Sequence, residues 1–212
     1  MAMGALCIKK LILSICGTNC YILHNSETKE GIIIDPAADP DDIDRNVRLL
    51  GVSIKAILLT HGHFDHIGAA EKLKNLYGIK VYAHESEAEL TKNGMLNLSS
   101  VFGTQDSVSV DVCLKDGQEL ELCGFYIKVI HTPGHTEGSC CYLIDDGQQK
   151  RLFSGDTLFY QSHGRTDFPT GSERKIYDSI IEKLLVLDGS MRVYPGHGET
   201  TTIEDEKKWY RR

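Results

Sequence analysis

The stretch Thr60-His61-Gly62-His63-Phe64-Asp65-His66 decides the fold of this chain. It places three imidazoles and a carboxylate within six positions, directly after the apolar run Ile54–Leu59, which has the length and composition of a strand buried on both faces. Alternate side chains of an extended segment point the same way, so His61 and His63 can bind one cation. The carboxylate and imidazole that follow can turn towards a second cation from the start of the next helix. The motif therefore predicts one loop that serves two metal ions.

Three further metal ligands are predicted, each in a glycine-containing loop after a predicted strand. Strand ends at one edge of a pair of sheets lie close together, and a neighbouring glycine lets the backbone turn sharply. For each of these residues taken alone, a hydrogen-bonded polar group without a metal is the favoured interpretation. Seven such side chains with one recurring local plan indicate a shared metal site instead. The three loops are Thr132-Pro133-Gly134-His135, Ser154-Gly155-Asp156-Thr157 and Pro195-Gly196-His197-Gly198.

The remaining segments alternate strand and helix signals. Short β-branched or aromatic runs predict an antiparallel meander of strands at Ile8–Ile15, Cys20–Leu23 and Ile32–Ile34. Residues 92–110 are polar and fit either a lid or a loop. Because strands come in two groups with helices after each, we expect one α+β domain over residues 1–212, with two facing sheets covered by helices. Helices are predicted from a cap at Asp39 to Gly51, from Ala69 to Gly78, from a capping box at Thr170 and Glu173 to Leu185, and from Thr202 to Trp209.

Composition excludes several classes of function. Apolar residues make up 41% and charged residues 25% of the 212 residues, as in soluble globular proteins. The net charge is −7 and the 23 Lys and Arg residues form no dense run, so neither nucleic acid nor a membrane surface is an expected partner. No apolar run is long enough to span a bilayer, and no secretory signal pattern begins the sequence, so a cytoplasmic location is expected.

The seven cysteines indicate neither a disulfide framework nor a cysteine-rich zinc site, because their number is odd and they form no repeated close pairs. Most lie in apolar, strand-like segments, where buried inert thiols are expected. None is assigned to catalysis. The thiols concerned are Cys16, Cys20, Cys113, Cys123, Cys140 and Cys141.

With these motifs in place, the sequence resembles the metallo-β-lactamase superfamily over nearly its whole length, from Thr18-Asn19-Cys20-Tyr21 and Ile34-Asp35-Pro36 to Gly196-His197-Gly198. The resemblance implies a four-layer αββα sandwich with two facing mixed β-sheets. Asp35 and Thr157 are candidates for orienting the ligands, and equally for turn or capping roles. The resemblance also implies that the positions matching His61, His63 and His135 bind a first metal, that those matching Asp65, His66 and His197 bind a second, and that the one matching Asp156 bridges both.

The ligand set predicts hydrolytic chemistry on a small molecule. Imidazole and carboxylate ligands suit zinc, the expected metal, while iron and manganese accept the same ligands. Two divalent cations would lower the pKa of a shared water from about 16 towards 7 and supply a metal-bound hydroxide as nucleophile. Asp65 is the candidate catalytic group, because it could orient that nucleophile or carry its proton.

Within the superfamily the sequence is similar to the short glyoxalase II-like hydrolases in Gly164-Arg165-Thr166-Asp167-Phe168-Pro169 and in the ending Gly196-His197-Gly198-Glu199-Thr200-Thr201. This resemblance implies hydrolysis of thioesters of the hydroxyacylglutathione type. The helical extension that helps the long enzymes bind glutathione is not found after Trp209-Tyr210. Arg165 is predicted to anchor a substrate carboxylate, with an ion pair to Asp167 as the equal alternative. Tyr160 and His163 are candidates for lining the pocket, with surface positions as the alternative.

Other functions remain open at this point. A persulfide dioxygenase would use one iron on the positions matching His61, His135 and Asp156, a two-histidine, one-carboxylate triad. Another ester or lactone hydrolase, a true β-lactamase, or a non-catalytic module that keeps the metal for stability would also fit parts of the pattern. The complete ligand set and the Pro-Gly-His197-Gly ending favour hydrolysis. The oligomeric state is not predicted.

Overall fold

The structure is a computed structural model that describes residues 4–14 and 16–210. In this part of the chain, twelve strands form two six-stranded sheets. The first sheet runs in chain order through β1 (Leu6–Leu13), β2 (Thr18–Asn25), β3 (Glu30–Ile34), β4 (Ser53–Leu58), β5 (Lys80–His84) and β6 (Val112–Leu114). The second sheet has the spatial order β12-β11-β10-β9-β8-β7, with strands β7 (Glu119–Leu122), β8 (Phe125–His131), β9 (Cys140–Asp145), β10 (Lys150–Gly155), β11 (Arg192–Pro195) and β12 (Thr201–Thr202).

Both sheets are mixed. Strands β1, β2 and β3 pair antiparallel, which confirms the predicted meander, and β3 to β6 then pair parallel. In the second sheet β7 to β10 pair antiparallel, β10 and β11 pair parallel, and β12 returns antiparallel. Strand β1 ends at Leu13, and Ile15, the predicted end of that strand, lies outside the described residues.

The helices cover the outer faces of the sheets. On the first sheet lie α1 (Pro40–Leu50), α2 (Phe64–Ile67) and α3 (Ala70–Tyr77). Short 3₁₀ turns follow at Glu85–Glu87 and Leu90–Lys92. On the second sheet lie α4 (Glu173–Asp178), which continues into a π-helical segment at Ser179–Leu184, and α5 (Ile203–Tyr210).

The predicted cap at Thr170 is wrong, whereas Asp39 is the N-cap residue of α1 as predicted but caps it without its side chain. Ser172, not Thr170, caps α4, because the Ser172 hydroxyl accepts a hydrogen bond from the Lys175 amide. The Thr170 hydroxyl instead accepts a hydrogen bond from the Glu137 amide. Asp39 precedes α1 in a left-handed conformation (φ 49°), and its side chain makes no capping hydrogen bond. Spacing alone cannot distinguish a capping hydroxyl from one that bonds to another loop.

Alternation along the strands produces the four layers. Ile22, Ile33 and Ile57 point outward to the helices of the first sheet, whereas their neighbours point inward between the sheets. A third cluster packs the second sheet against α4, the π-helical segment and α5. Three apolar layers between four layers of secondary structure confirm the predicted αββα sandwich.

Two tyrosines between the sheets tie the core to the loops at one sheet edge. The Tyr21 hydroxyl donates to the Pro195 carbonyl at 2.7 Å, directly before the Gly196-His197 turn. The Tyr142 hydroxyl donates to the Leu59 carbonyl at 2.7 Å, directly before Thr60-His61. Both side chains are buried, and a buried phenol needs such a partner. The packing of the core therefore fixes where two of the predicted ligand loops begin.

The sequence also made predictions for the cysteines and for residues 92–110. Cys20, Cys140 and Cys141 are buried as predicted and Cys123 is partly buried. Cys16 and Cys113 are exposed, because Cys16 lies in the turn between β1 and β2 and Cys113 lies on the edge strand β6. Residues 92–110 form a compact loop beside α2, and the Asn97 carbonyl in this loop accepts a hydrogen bond from the Phe64 amide at 2.9 Å.

Among the described residues, no helix combines the length and apolar character needed to cross a membrane.

Candidate metal centre

The seven predicted ligand side chains lie together at the sheet edge where β4, β8, β10 and β11 end. Backbone hydrogen bonds join the loops there: the Gly196 amide donates to the Gly155 carbonyl at 2.8 Å, and the Asn19 amide donates to the Gly196 carbonyl at 2.7 Å. Potential ligand atoms fall into three sets, in each of which all atoms lie within 4.8 Å of one another. The sets are His61 with His63 and His135, His61 with His66 and Asp156, and Asp65 with His66 and His197.

We call His61, His63 and His135 the imidazole half of the centre. All three side chains are buried, and Nδ1 of His63 lies 2.9 Å from Nε2 of His135. Nε2 of His61 is buried without a hydrogen-bond partner among the described residues. The position of His135 is fixed by its other ring nitrogen, Nδ1, which lies 2.7 Å from the Arg165 carbonyl.

We call Asp65, His66 and His197 the acidic half. Nε2 of His66 lies 3.3 Å from Nε2 of His197, and Oδ2 of Asp65 lies 3.5 Å from the same His197 atom. Asp156 stands between the halves: its Oδ2 is 3.3 Å from Nε2 of His197 and 3.6 Å from Nε2 of His135. One carboxylate therefore contacts both halves of the centre.

The two halves differ in electrostatics. Burial lowers the pKa values of His61, His63 and His135, and the neighbouring imidazoles lower those of His61 and His63 further. Burial opposes charge on His66 as well, but the carboxylates of Asp156, Asp65 and Asp35 outweigh it and raise the pKa of His66 well above its usual range.

Asp156 and His197 follow the same pattern as His66. Burial alone would raise the pKa of Asp156, but His66 and His197 hold it well below the usual range. Burial alone would lower the pKa of His197, and the hydrogen bond with Asp156 raises it instead. In the protein without a cation, the acidic half is thus held together by charge, whereas the imidazole half consists of neutral rings.

The donor set fits divalent cations. Buried polar atoms in folded proteins nearly always have hydrogen-bond partners, yet Nε2 of His61 and Oδ1 of Asp156 are buried without one among the described residues. Nε2 of His63 is likewise buried without a partner among the described residues. Cations bound among these nitrogens and carboxylates would satisfy them, and zinc, iron and manganese all accept such ligands.

Asp35 positions the acidic half from behind. It has a left-handed backbone conformation (φ 49°), and its carboxylate accepts the Thr60 amide at 2.8 Å and the Thr60 hydroxyl at 2.6 Å. Its Oδ2 also lies 3.0 Å from Nδ1 of His66. Such a carboxylate fixes the ring orientation of a metal-binding histidine. Thr18 supports the same half, because its hydroxyl donates to Oδ2 of Asp65 at 3.0 Å.

The predicted substrate residues are placed differently from the ligands. Arg165 lines the cleft above the metal ligands, but its guanidinium forms two 2.6 Å bonds to Asp167 and stacks on the Phe168 ring at 3.8 Å. Tyr160 is exposed and does not line that cleft. His163 lies in a separate aromatic cluster, with its Nδ1 2.9 Å from the Tyr210 hydroxyl.

Comparison with known proteins places the chain in a family. The profile of the metallo-beta-lactamase superfamily matches residues 13–197, a range that contains all seven ligand positions. The chain belongs to the metallo-beta-lactamase superfamily. A curated relative in the superfamily, the hydroxyacylglutathione hydrolase GloC of Haemophilus influenzae, is 34% identical over 196 residues, which cover 90% of each chain.

Solved structures of the superfamily share the fold. The BLEG-1 B3 metallo-beta-lactamase matches with a TM-score of 0.90 and 37% identity, over 95% of this chain and 97% of that one. TTHA1623, solved in a di-iron-bound form, matches with a TM-score of 0.82 and 32% identity, over 94% and 97% of the two chains. ETHE1 from Myxococcus xanthus matches with a TM-score of 0.79 and 28% identity, over 97% and 84%.

Glu87 is a site residue of this superfamily member that sequence reasoning missed. Its side chain is fully buried behind the imidazole half. One oxygen accepts the amide of Gly62, between His61 and His63, at 2.7 Å, and the other accepts the Thr136 hydroxyl at 2.7 Å and the Gly138 amide at 2.8 Å. Burial raises the pKa of Glu87 to about 7, although these hydrogen bonds oppose the shift.

No sequence signal distinguished Glu87. It lies two residues after the similar Glu85, and its partners are backbone amides and a hydroxyl far away in the chain. Thr157, which the sequence did single out, lies beside the imidazole half, where its hydroxyl is 2.8 Å from that of Thr132. It joins the loop of His135 to the loop of Asp156.

Proposed function

We propose that this metallo-hydrolase acts on thioesters, that it uses two divalent cations, and that zinc is the first metal to test. The observation that carries the proposal is the convergence of seven ligand side chains on one edge, with Asp156 in contact with both halves. The similarity to a hydroxyacylglutathione hydrolase over 90% of the chain supports thioesters as the substrate class and makes S-lactoylglutathione the first substrate to test.

The ligand roles follow from the two halves. His61, His63 and His135 would hold one cation, the residues of the acidic half would hold the other, and Asp156 would contact both. When bound, such cations polarise a carbonyl and lower the pKa of water, which supplies a nucleophile near neutral pH. A thioester suits this chemistry because the departing thiolate is a good leaving group.

The protein's own groups would orient the reactants. The cleft above the ligands has a volume of about 280 Å³, and Phe159, Phe168 and Leu98 supply apolar walls that limit access of water. Asp65 also lines the cleft and accepts a hydrogen bond from the Thr18 hydroxyl, so its carboxylate could orient the nucleophile or carry its proton. No serine or cysteine nucleophile is required by this arrangement.

A substrate panel tests the proposal. Protein loaded with zinc, iron or manganese would be assayed with S-lactoylglutathione, other thioesters, lactones, esters and nitrocefin. We expect the highest kcat/KM on a thioester. Chelation should abolish the activity, and addition of metal should restore it. Hydrolysis of lactones or esters with little thioester turnover would contradict the thioester proposal, and nitrocefin turnover above all others would indicate a β-lactamase.

Persulfide dioxygenation is the second candidate, because the similarity to ETHE1 covers 97% of this chain. His61, His135 and Asp156 would then hold a single iron, and Oδ2 of Asp156 does lie 3.6 Å from Nε2 of His135. Iron-loaded protein would be tested for oxygen uptake with glutathione persulfide. One iron per chain together with oxygen consumption would favour this candidate over hydrolysis.

We also propose that residues 1–212 form one domain and act in the cytoplasm on a small molecule. Limited proteolysis would test the first statement, because a single domain should resist cleavage between the two sheets. Cell fractionation would test the second.

A further inference from the structure

A second cavity opens beside the metal cleft and shares a wall with it. Its volume is about 560 Å³, against about 280 Å³ for the cleft, and it falls in the usual size range of small-molecule sites. Phe64, Asp65 and Phe102 line both spaces. A substrate with its reacting group in the cleft can therefore extend into the second cavity.

The walls of this cavity are mainly apolar and partly uncovered. Ile12 on β1 is 66% exposed and Phe102 is 51% exposed, although both are large apolar side chains. The Phe102 ring stacks on Phe64, with 4.7 Å between centroids and 21° between planes, so a hydrophobic surface runs from the cavity into the cleft. Covering such a surface with an apolar ligand is favourable. The apolar lining is completed by Leu13, Ala37 and Ala38.

The charges around the cavity exclude an anionic occupant. Asp39, Asp65 and Asp106 line it, and none of the described lining residues is Lys or Arg. Arg165 across the cleft is already paired with Asp167 through two hydrogen bonds. Beyond the metal ligands, a ligand carboxylate in the cavity would meet the carboxylates of Asp39 and Asp106, and no described lining residue is a Lys or Arg that could offset them.

We propose that this cavity binds an uncharged apolar chain of the thioester substrate. The inference rests on the proposed thioester hydrolysis and narrows its substrate class: thioesters that carry an extended apolar chain should react better than short hydroxyacyl thioesters. The chain could be attached to the carbonyl or to the sulfur, since both lie at the cleft. The chemistry that the cavity recognises is the same in either case.

A chain-length series tests the inference. One arm varies the acyl group from acetyl to octanoyl on N-acetylcysteamine, and the other varies an alkyl thiol on an acetyl group. In at least one arm, kcat/KM should rise by up to about fourfold for each added methylene. In that arm we compare kcat/KM for the longest chain with kcat/KM for the shortest chain. Ile12→Asp should lower this ratio by about tenfold or more. Leu49→Asp on α1, another exposed apolar position (79%, against 66% for Ile12) that does not line the cavity, is the matched control and should keep that ratio.

Binding separates this inference from the proposed function. Calorimetric titration of the metal-loaded protein with non-hydrolysable S-alkyl thioethers of N-acetylcysteamine should give affinity that increases with chain length, and Ile12→Asp should remove the increase. If that pattern appears but no thioester is hydrolysed, the proposed function fails and the apolar site stands. Affinity and kcat/KM independent of chain length, or an Ile12→Asp variant with an unchanged ratio, would overturn the inference.

Discussion

The imidazole half and the acidic half of the metal centre are held in place by different means. The imidazole half consists of buried rings whose pKa values are lowered by burial, and Glu87 supports it through the backbone amides of two loops. In the acidic half the pKa values of His66 and His197 are raised by carboxylates, and Asp35 and Thr18 contact the ligand side chains directly.

This difference has a physical consequence for metal binding. A cation at the imidazole half meets neutral nitrogens, and its geometry depends on where two backbone loops lie. A cation at the acidic half must displace protons and replace ion pairs that already exist. The two halves should therefore respond to different substitutions, and only Asp156 should affect both.

The largest expected effect comes from Asp156→Asn. It removes the charge of the carboxylate that contacts both halves, so we expect loss of both cations and a fall in hydrolysis of about a thousandfold or more. Metal content and kcat/KM measure the two effects. Asp178→Asn, an exposed carboxylate on α4, serves as the control and should change neither. An Asp156→Asn protein that keeps one cation at full affinity would contradict the shared role.

Glu87→Gln and Asp35→Asn should weaken different halves, each by about tenfold to a hundredfold in metal affinity. Each substitution would be made in two backgrounds. The first is His197→Ala, which leaves the imidazole half intact, and the second is His63→Ala, which leaves the acidic half intact. Glu87→Gln should lower zinc affinity only in the first background, whereas Asp35→Asn should lower it more in the second, because Asp35 contacts His66 directly and His61 only through the Thr60 hydroxyl. Equal losses in both backgrounds would mean that the two halves are not supported separately.

The pH dependence of stability should report the protonation of Glu87. Its pKa in the folded protein is raised to about 7 from 4.5, so the folded state binds more protons than the unfolded state between these values. Stability from this group is therefore present below pH 4.5 and is lost as the pH rises through about 7, by up to about 3 kcal/mol. Denaturant unfolding of the metal-free protein across this range measures it. Glu87→Gln should remove this part of the slope, and an unchanged slope would contradict the assignment.

The smallest expected effect comes from the threonines. Thr18→Val removes the hydrogen bond to Asp65 and should cost about 1–2 kcal/mol in unfolding free energy and weaken only the acidic half. Thr136→Val, which removes a hydrogen bond to Glu87 behind the imidazole half, is its counterpart and should leave the zinc affinity of the acidic half unchanged. If the two variants affected the same half, the division of the centre would need revision.

The sequence predicted the fold and the clustering of the ligand motifs because both depend on local patterns. Short β-branched, aromatic or apolar runs predicted the strands, and the short segment Thr60–His66 carries four ligand candidates. Glycine-containing loops after strands identified the other three. The left-handed conformation of Asp35 and its bonds to Thr60 explain why a residue that looked like a turn former touches a ligand.

What the sequence could not predict depends on contacts between distant residues. Glu87 meets Gly62 and Gly138 only after both sheets have formed. Thr170 matched a capping box, but the loop turns so that Ser172 caps the helix. For Arg165, substrate anchor and ion pair were equally compatible with the sequence, and its bonds to Asp167 appear only in the folded loop. Local spacing carries none of this information.

Native mass spectrometry of zinc-loaded protein tests the central claim most directly, because it counts the cations that each chain holds. We expect two zinc ions per chain in the wild type, one in His63→Ala and one in His197→Ala. A wild type that binds a single ion at saturation, or variants that both retain two ions, would contradict a centre built from two halves around Asp156.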